Sequence, residues 1–210
     1  MLKQRLHTLK KNINKIKIGS ESADFSEIDR WQTGKKYNIS TKFKSRHIGR
    51  VIAFQTLFAY DYEQRSADEI LKFDWIRRAD VRPDAEPNND ETNITLFEEL
   101  FGEVDDWTYR AAVDYARFLV EGTLRNLDEI DNLITAKLRN WSLDRISSID
   151  RAIMRFAVFS ILYENDLDES IIINEAVEIV KEFGSKESYK FVNGILDAIK
   201  KDKKQNKANS

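Results

Sequence analysis

The chain has 210 residues, enough for one compact domain or two small ones, and 41% of them are hydrophobic against 33% charged, the balance of a soluble globular protein. It has no cysteine, which excludes a disulfide scaffold, a thiolate metal site and cysteine chemistry. Seven glycines and two prolines are few for this length and predict long helices joined by short connections.

A net charge of −2 conceals an uneven distribution. Residues 1–45 carry Lys3, Arg5, Lys10, Lys11, Lys15, Lys17, Lys35, Lys36, Lys42 and Lys44, and the end carries Lys200, Lys201, Lys203, Lys204 and Lys207, whereas Asp61 to Asp106 is acidic. Basic ends suit a polyanion and an acidic middle suits a basic protein, unless the lysines serve solubility alone. No apolar run approaches the roughly 18 residues of a membrane span. The charged N-terminus lacks a signal-peptide core, so the expected location is cytoplasmic with no membrane partner.

In chain order, Leu6, Leu9, Ile13 and Ile16 fall at helical spacing among lysines, so residues 3–18 read as a basic amphipathic helix and 19–45 as a linker. The pattern predicts a first core helix from Arg46 to about Gln64, with Ile48, Val51, Ile52, Phe58 and Tyr62 near one face. A second amphipathic segment spans Ala67–Arg77, and Arg82–Asp90 is a loop of proline, asparagine and aspartate. Asn93–Phe101 reads as a short helix turning Leu96, Leu100 and Phe101 inward. Asp105 and Asp106 suit the start of a helix through about Leu124, since acids favour the positive end of the helix dipole. Leu127–Leu138 continues the pattern, and Ile146–Tyr163 is apolar almost all round, the mark of a buried central helix. Glu164, Asp166, Asp168 and Glu169 read as a solvated connection, because the glycine and closing glutamate of a calcium loop are absent. Ile171–Phe183 follows, then Gly184 as a left-handed helix stop and Ser185 as a cap, and a last helix buries Val192, Ile195, Leu196 and Ile199.

Enzymatic signatures are missing. The two histidines, His7 and His47, sit in no metal-binding spacing, and there is no P-loop or dinucleotide glycine pattern. Neither an enzyme nor a cofactor is expected.

Three segments together resemble one family. Residues Ile173–Lys181 (INEAVEIVK), Phe183-Gly184 and Lys190–Asp197 (KFVNGILD) are similar to the INEAVELAK…FG…KFVNGVLD signature of NusB proteins. Ile149–Arg155 (IDRAIMR) resembles the family's VE-x-A-I-L-R helix, and Gln55–Phe58 (QTLF) its Q-A-L-Y. The likeness covers roughly residues 45–200. It implies an all-α fold of two small bundles packed together, N-terminal over about 45–125 and C-terminal over about 126–200, with a basic extension at 1–44 and a basic tail at 201–210. It also implies a transcription antitermination factor. Such a protein binds boxA-type single-stranded RNA together with NusE, a small-subunit ribosomal protein, in the RNA polymerase antitermination complex on ribosomal RNA operons. The alternative is a NusB-like accessory domain for RNA binding or protein interaction, linked to ribosomal RNA modification or maturation.

The resemblance also assigns candidate residues. At the arginine-rich start of the family's first helix this chain has Arg46, His47 and Arg50, joined by Lys44, as phosphate contacts. Phe58 and Phe191 are the candidate stacking rings; Phe191 falls one residue off the apolar stripe of its helix, at its edge. Ser185, Lys186, Ser188 and Lys190 lie where a helix N-terminus receives a phosphate. Asp150 and Glu187 match acidic positions near the RNA and NusE surfaces. Asn193-Gly194 reads as a close helix–helix approach, and Asn174-Glu175 as capping or buried polar bonding.

Overall fold

Every regular element among the described residues is a helix; the computed structural model describes residues 41–63, 66–76, 96–139 and 141–208. The elements are α1 (Thr41–Glu63), α2 (Ala67–Ile70), α3 (Leu96–Phe101), α4 (Asp106–Arg125), α5 (Leu127–Lys137), α6 (Ser148–Tyr163), α7 (Glu169–Phe183) and α8 (Ser188–Ala208), with single 3-10 turns at Asp74–Ile76 and Leu143–Arg145. No strand occurs among the described residues, in agreement with the all-α expectation. The amphipathic leader at 3–18 and the Arg82–Asp90 loop lie outside them.

The chain divides into two compact units. The larger comprises Ile39–Phe73 and Val104–Ser210 and so holds α1, α2 and α4–α8. The other includes Asp74–Glu103, where Ile76 and Phe97 are buried and the Phe97 ring lies 5.0 Å from that of Phe101. In α3 Phe97 is fully buried and Phe101 half-buried, whereas Leu100, expected inward, is 38% exposed.

The apolar run of α6 makes it the axis of the larger unit. Ala152, Ile153, Met154, Phe156, Ala157, Val158 and Ile161 are completely enclosed, and α1, α4, α5, α7 and α8 all pack on this helix. Burial of each large side chain contributes roughly 1.5–3 kcal/mol. Helix α1 pairs most extensively with α4. Gly49 permits that crossing: a Cβ there would fall 2.7 Å from the Ala112 carbonyl oxygen.

Two arginines of the IDRAIMR segment are explained by buried ion pairs. Arg155 donates through Nε and Nη2 to Asp131 (2.8 and 2.7 Å) and through Nη1 to Asp61 (2.7 Å), while Arg151 Nε reaches the other Asp61 oxygen at 2.9 Å. Burial opposes the Arg155 charge, but the Asp131 and Asp61 bonds outweigh it and push its pKa up. The network ties α6 to the end of α1 and to α5.

Several helix limits differ from the sequence reading. Residues 41–45, expected as linker, form the first turn of α1, and Ser45 is buried there. The segment from Ala67 is broken after α2, where Ser66 and Glu69 form a capping box, by Phe73 at φ 49°. That conformation turns the Phe73 ring inward, under the Arg117 guanidinium at 5.2 Å. Asp105 caps α4 by accepting from the Thr108 N–H at 2.8 Å. The lysine-rich end continues α8 as far as Ala208.

Gly184 ends α7 in extended backbone (φ −89°, ψ −176°), not in the left-handed region. Its reason is space: a Cβ would meet the Val180 carbonyl oxygen at 2.7 Å and Asp150 Oδ1 at 3.2 Å. Gly194 fails the opposite way. It is exposed on α8, and a Cβ there would meet nothing within 4 Å, so no helix–helix approach among the described residues accounts for it.

Candidate nucleic-acid interface

Two groups of residues singled out in the sequence belong to the two ends of one strip. The first sits at the start of α1, the second around the α7–α8 junction, and α7 runs between them. Glu175 of α7 contacts His47 and Arg50, and two turns on the Phe183 ring lies 5.1 Å from that of Phe54, tilted by 46°, one turn beyond Arg50. From Glu175 to Gly184 a helix rises about 14 Å. The chain then turns and delivers Ser185 through Phe191.

The cations at the α1 start are held by partners within the protein. Arg46 donates to Asp166 and lies 3.9 Å from Glu164. His47 Nδ1 is 3.1 Å from Glu175 Oε2, and Arg50 Nη1 donates to the same oxygen at 3.4 Å. Both guanidiniums lie over the Tyr115 ring, 5.5 and 5.2 Å from its centroid, while the Tyr115 hydroxyl donates to both Glu164 oxygens. Burial pushes the Tyr115 hydroxyl pKa up. Burial of Glu175 works against its charge, but the His47 hydrogen bond and the charges of His47 and Arg50 outweigh it and hold this carboxyl below the ordinary glutamate range.

Exposure separates the candidates. Lys44 is exposed, and Arg46 and His47 are half-buried. Arg50 is a correction to its reading as a surface phosphate contact: it is only 2% exposed, with Nε and Nη2 buried and unpartnered. Phe58 is a second correction. Its ring is buried beside Phe54 and offers no free face to a base. Phe191, by contrast, is 38% exposed. The same residue type thus serves the core in α1 and the surface in α8, because Phe58 points into the α1 stripe while Phe191 stands at the edge of its own.

At the junction, Ser185, Lys186, Glu187 and Lys190 are exposed. Lys190 donates to Glu187 at 2.7 Å, which lowers the Glu187 pKa and raises that of Lys190, and both Lys181 and Lys190 lie over the Tyr189 ring. Ser188 is buried, against its reading as a phosphate contact: its hydroxyl donates to Asp150 Oδ2 at 2.8 Å and contacts the Ser185 hydroxyl at 2.7 Å. Ser185 supports the turn through its carbonyl, which accepts the Ser188 N–H at 3.0 Å. Asp150, read as a partner contact, is also buried, with Oδ1 lacking a hydrogen bond. Burial raises its pKa, and the Ser188 bond only partly offsets this.

Sequence reading did not single out Tyr115 and gave the acids of this site no link to the start of α1. The connection is solvated at Asp166 and Asp168 as expected, but Glu164 is buried under Tyr115, and the other acids are engaged as well: Asp166 holds Arg46, Asp168 caps α7 through the Ser170 N–H, and Glu169 pairs with Lys203 at 3.2 Å. Glu175 was legible as part of a motif, but its partners lie about 125 residues away in sequence. Among the described residues no cluster of His, Asp and Glu could hold a metal ion, and no helix is long and apolar enough to cross a membrane.

Comparison with known proteins bears on this arrangement. The model of the NusB family matches residues 108–201. The transcription antitermination protein NusB of Treponema denticola is 36% identical over 155 residues, covering 74% of this chain and 95% of the relative. T. maritima NusB shares the fold with a TM-score of 0.55 at 32% identity, over 74% of this chain and 90% of that one. A crystal structure of the antitermination factors NusB and NusE in complex with dsRNA is similar with a TM-score of 0.55 at 25% identity, over 75% of this chain and 96% of its counterpart. The Treponema relative is matched over nearly its whole length, and the helical architecture agrees with that of the solved structures: the chain belongs to the NusB family.

Proposed function

We propose that this chain is a cytoplasmic transcription antitermination factor that binds boxA-type single-stranded RNA together with NusE and supports transcription of ribosomal RNA operons. It acts by binding, with no catalytic step and no cofactor. The observation that carries the reading is Phe191, a half-exposed ring that follows the exposed Lys186 and Lys190 at the α7–α8 junction. Unpaired bases stack on such rings, and the neighbouring lysines supply the sequence-independent attraction to phosphate. At the start of α1 the exposed Lys44 and the half-buried Arg46 and His47 add cationic groups, and Asp166 and Glu175 hold the latter two in place. Family membership and the likeness to a NusB–NusE complex with RNA support the choice of partners. That complex contains duplex RNA, whereas an exposed stacking ring favours an unpaired strand.

The test is an anisotropy titration of labelled boxA-type RNA, a scrambled strand of equal length and the corresponding duplex, each with and without NusE. Preference for the boxA-type strand that strengthens with NusE is expected, and affinity should fall with salt as counterions are released. Equal affinity for all three RNAs, with no effect of NusE, would overturn the proposal.

A further inference from the structure

The bond that fixes Arg46 also occupies it. Arg46 donates through Nη2 to Asp166, its Nη1 lies 3.9 Å from Glu164, and its guanidinium rests over the Tyr115 ring. A carboxylate thus sits where an RNA phosphate would bind, because the planar fork takes either group in the same way. Arg46 cannot offer Nη2 to a phosphate without giving up Asp166.

The two carboxylates around Arg46 are held differently. Both Glu164 oxygens accept from the Tyr115 hydroxyl, and the Glu164 side chain is only 4% exposed. The Asp166 side chain is 59% exposed and stands in the short connection between α6 and α7. That connection is pinned on either side: the Glu164 N–H donates to the Ser160 carbonyl, and Asp168 accepts from the Ser170 N–H. Rotation of the Asp166 side chain alone therefore releases Arg46, while Tyr115 and Glu164 keep the guanidinium where it is. The vacated position faces solvent, since the carboxylate that fills it is mostly exposed. Arg50 has no such exit, because its side chain is 3% exposed.

We propose that Asp166 is an autoinhibitory acid, which occupies Arg46 in the free protein and yields it to an RNA phosphate on binding. The inference rests on the RNA-binding reading above and adds to it a residue that sets affinity without touching RNA. Binding exchanges one ion pair for another, so Arg46 contributes less to RNA affinity than it would with no charged competitor. An ion pair with one well-exposed member is weak enough for this exchange.

The test is a double-mutant cycle on the full-length protein: parent, Asp166→Asn, Arg46→Gln and the two together. Each is titrated against labelled boxA-type RNA in the presence of NusE, with circular dichroism to check that the helices are retained. Asparagine keeps the size of the side chain at 166 and removes the charged competitor. Asp166→Asn should tighten RNA binding about threefold, the factor such an exposed pair is worth. Arg46→Gln should weaken binding, and adding Asp166→Asn to it should change nothing further. A gain of equal size in both backgrounds overturns the proposal, because the lost charge then acts on the RNA through space and not through Arg46. An Asp166→Asn or an Arg46→Gln protein with the affinity of a parent that binds well overturns it alone. A parent that binds no RNA sinks the functional reading and this inference together.

Discussion

Replacing Glu175 with glutamine keeps the shape of the side chain and removes the charge that joins α7 to the start of α1. In the folded protein one Glu175 oxygen serves both His47 at 3.1 Å and Arg50 at 3.4 Å. A charge-assisted hydrogen bond contributes about 1.5–3 kcal/mol net. The Arg50 contact is long, glutamine still offers a carbonyl oxygen, and the Tyr115 face at 5.2 Å continues to stabilise the guanidinium. Against this, the Arg50 side chain is only 3% exposed and loses its counter-charge. These effects together place the cost of Glu175→Gln at about 1–2 kcal/mol near neutral pH, or a Tm lower by roughly 2–8 °C for a domain of this size.

The pH dependence supplies a signature. Because the folded Glu175 carboxyl is held below its ordinary value of 4.5, its contribution is fully present above that value and is lost as pH falls through the lower, folded value. Thermal unfolding of parent and variant by circular dichroism, from pH 7 down to pH 3, measures both effects. The curves should converge in acid. Equal Tm values at pH 7, or a difference that persists undiminished at pH 3, would refute the role given to this carboxylate.

Two further perturbations follow from the buried charges. Arg155→Met leaves Asp131 without its main partner and Asp61 with only Arg151; a cost of about 3–5 kcal/mol is expected in urea unfolding, and Arg155→Lys should recover little because an ammonium cannot reproduce the planar fork. Asp150→Asn should stabilise the protein at pH 7 by about 1 kcal/mol, since it removes a buried charge with an unpartnered oxygen. The raised pKa of Asp150 sets the sign: the penalty is absent below the ordinary value of 3.8, grows as pH rises toward the folded value and is complete above it. The gain from Asp150→Asn should therefore vanish in acid unfolding experiments, and a gain that persists there would contradict the assignment.

How much of this could be read from the residues depended on the range of the interaction involved. The apolar run in α6 and the stripe of Val192, Ile195, Leu196 and Ile199 are local periodicities, and both helices fold with those residues buried. The position of Phe191 off that stripe is likewise local, and the ring is exposed. Phe58 lay on the apolar stripe read from the sequence, and that local signal, not the stacking role taken from the resemblance, matches its burial beside Phe54. Arg50 looked like a surface cation, yet Glu175 and Tyr115 enclose it from two other helices. Gly184 was legible as a helix end, but not the crowding by Val180 and Asp150 that requires glycine. Gly194 reversed the pattern: a packing explanation was the natural one until the open space around it was visible.

The most direct test of the account is the affinity of Phe191→Ala for boxA-type RNA in the presence of NusE. A half-exposed ring on which a base stacks predicts a loss of about 1–3 kcal/mol in binding, roughly 5- to 150-fold, with helicity and oligomeric state preserved. Parent-like RNA affinity in a well-folded Phe191→Ala protein would contradict the claim that this face of α8 holds the RNA.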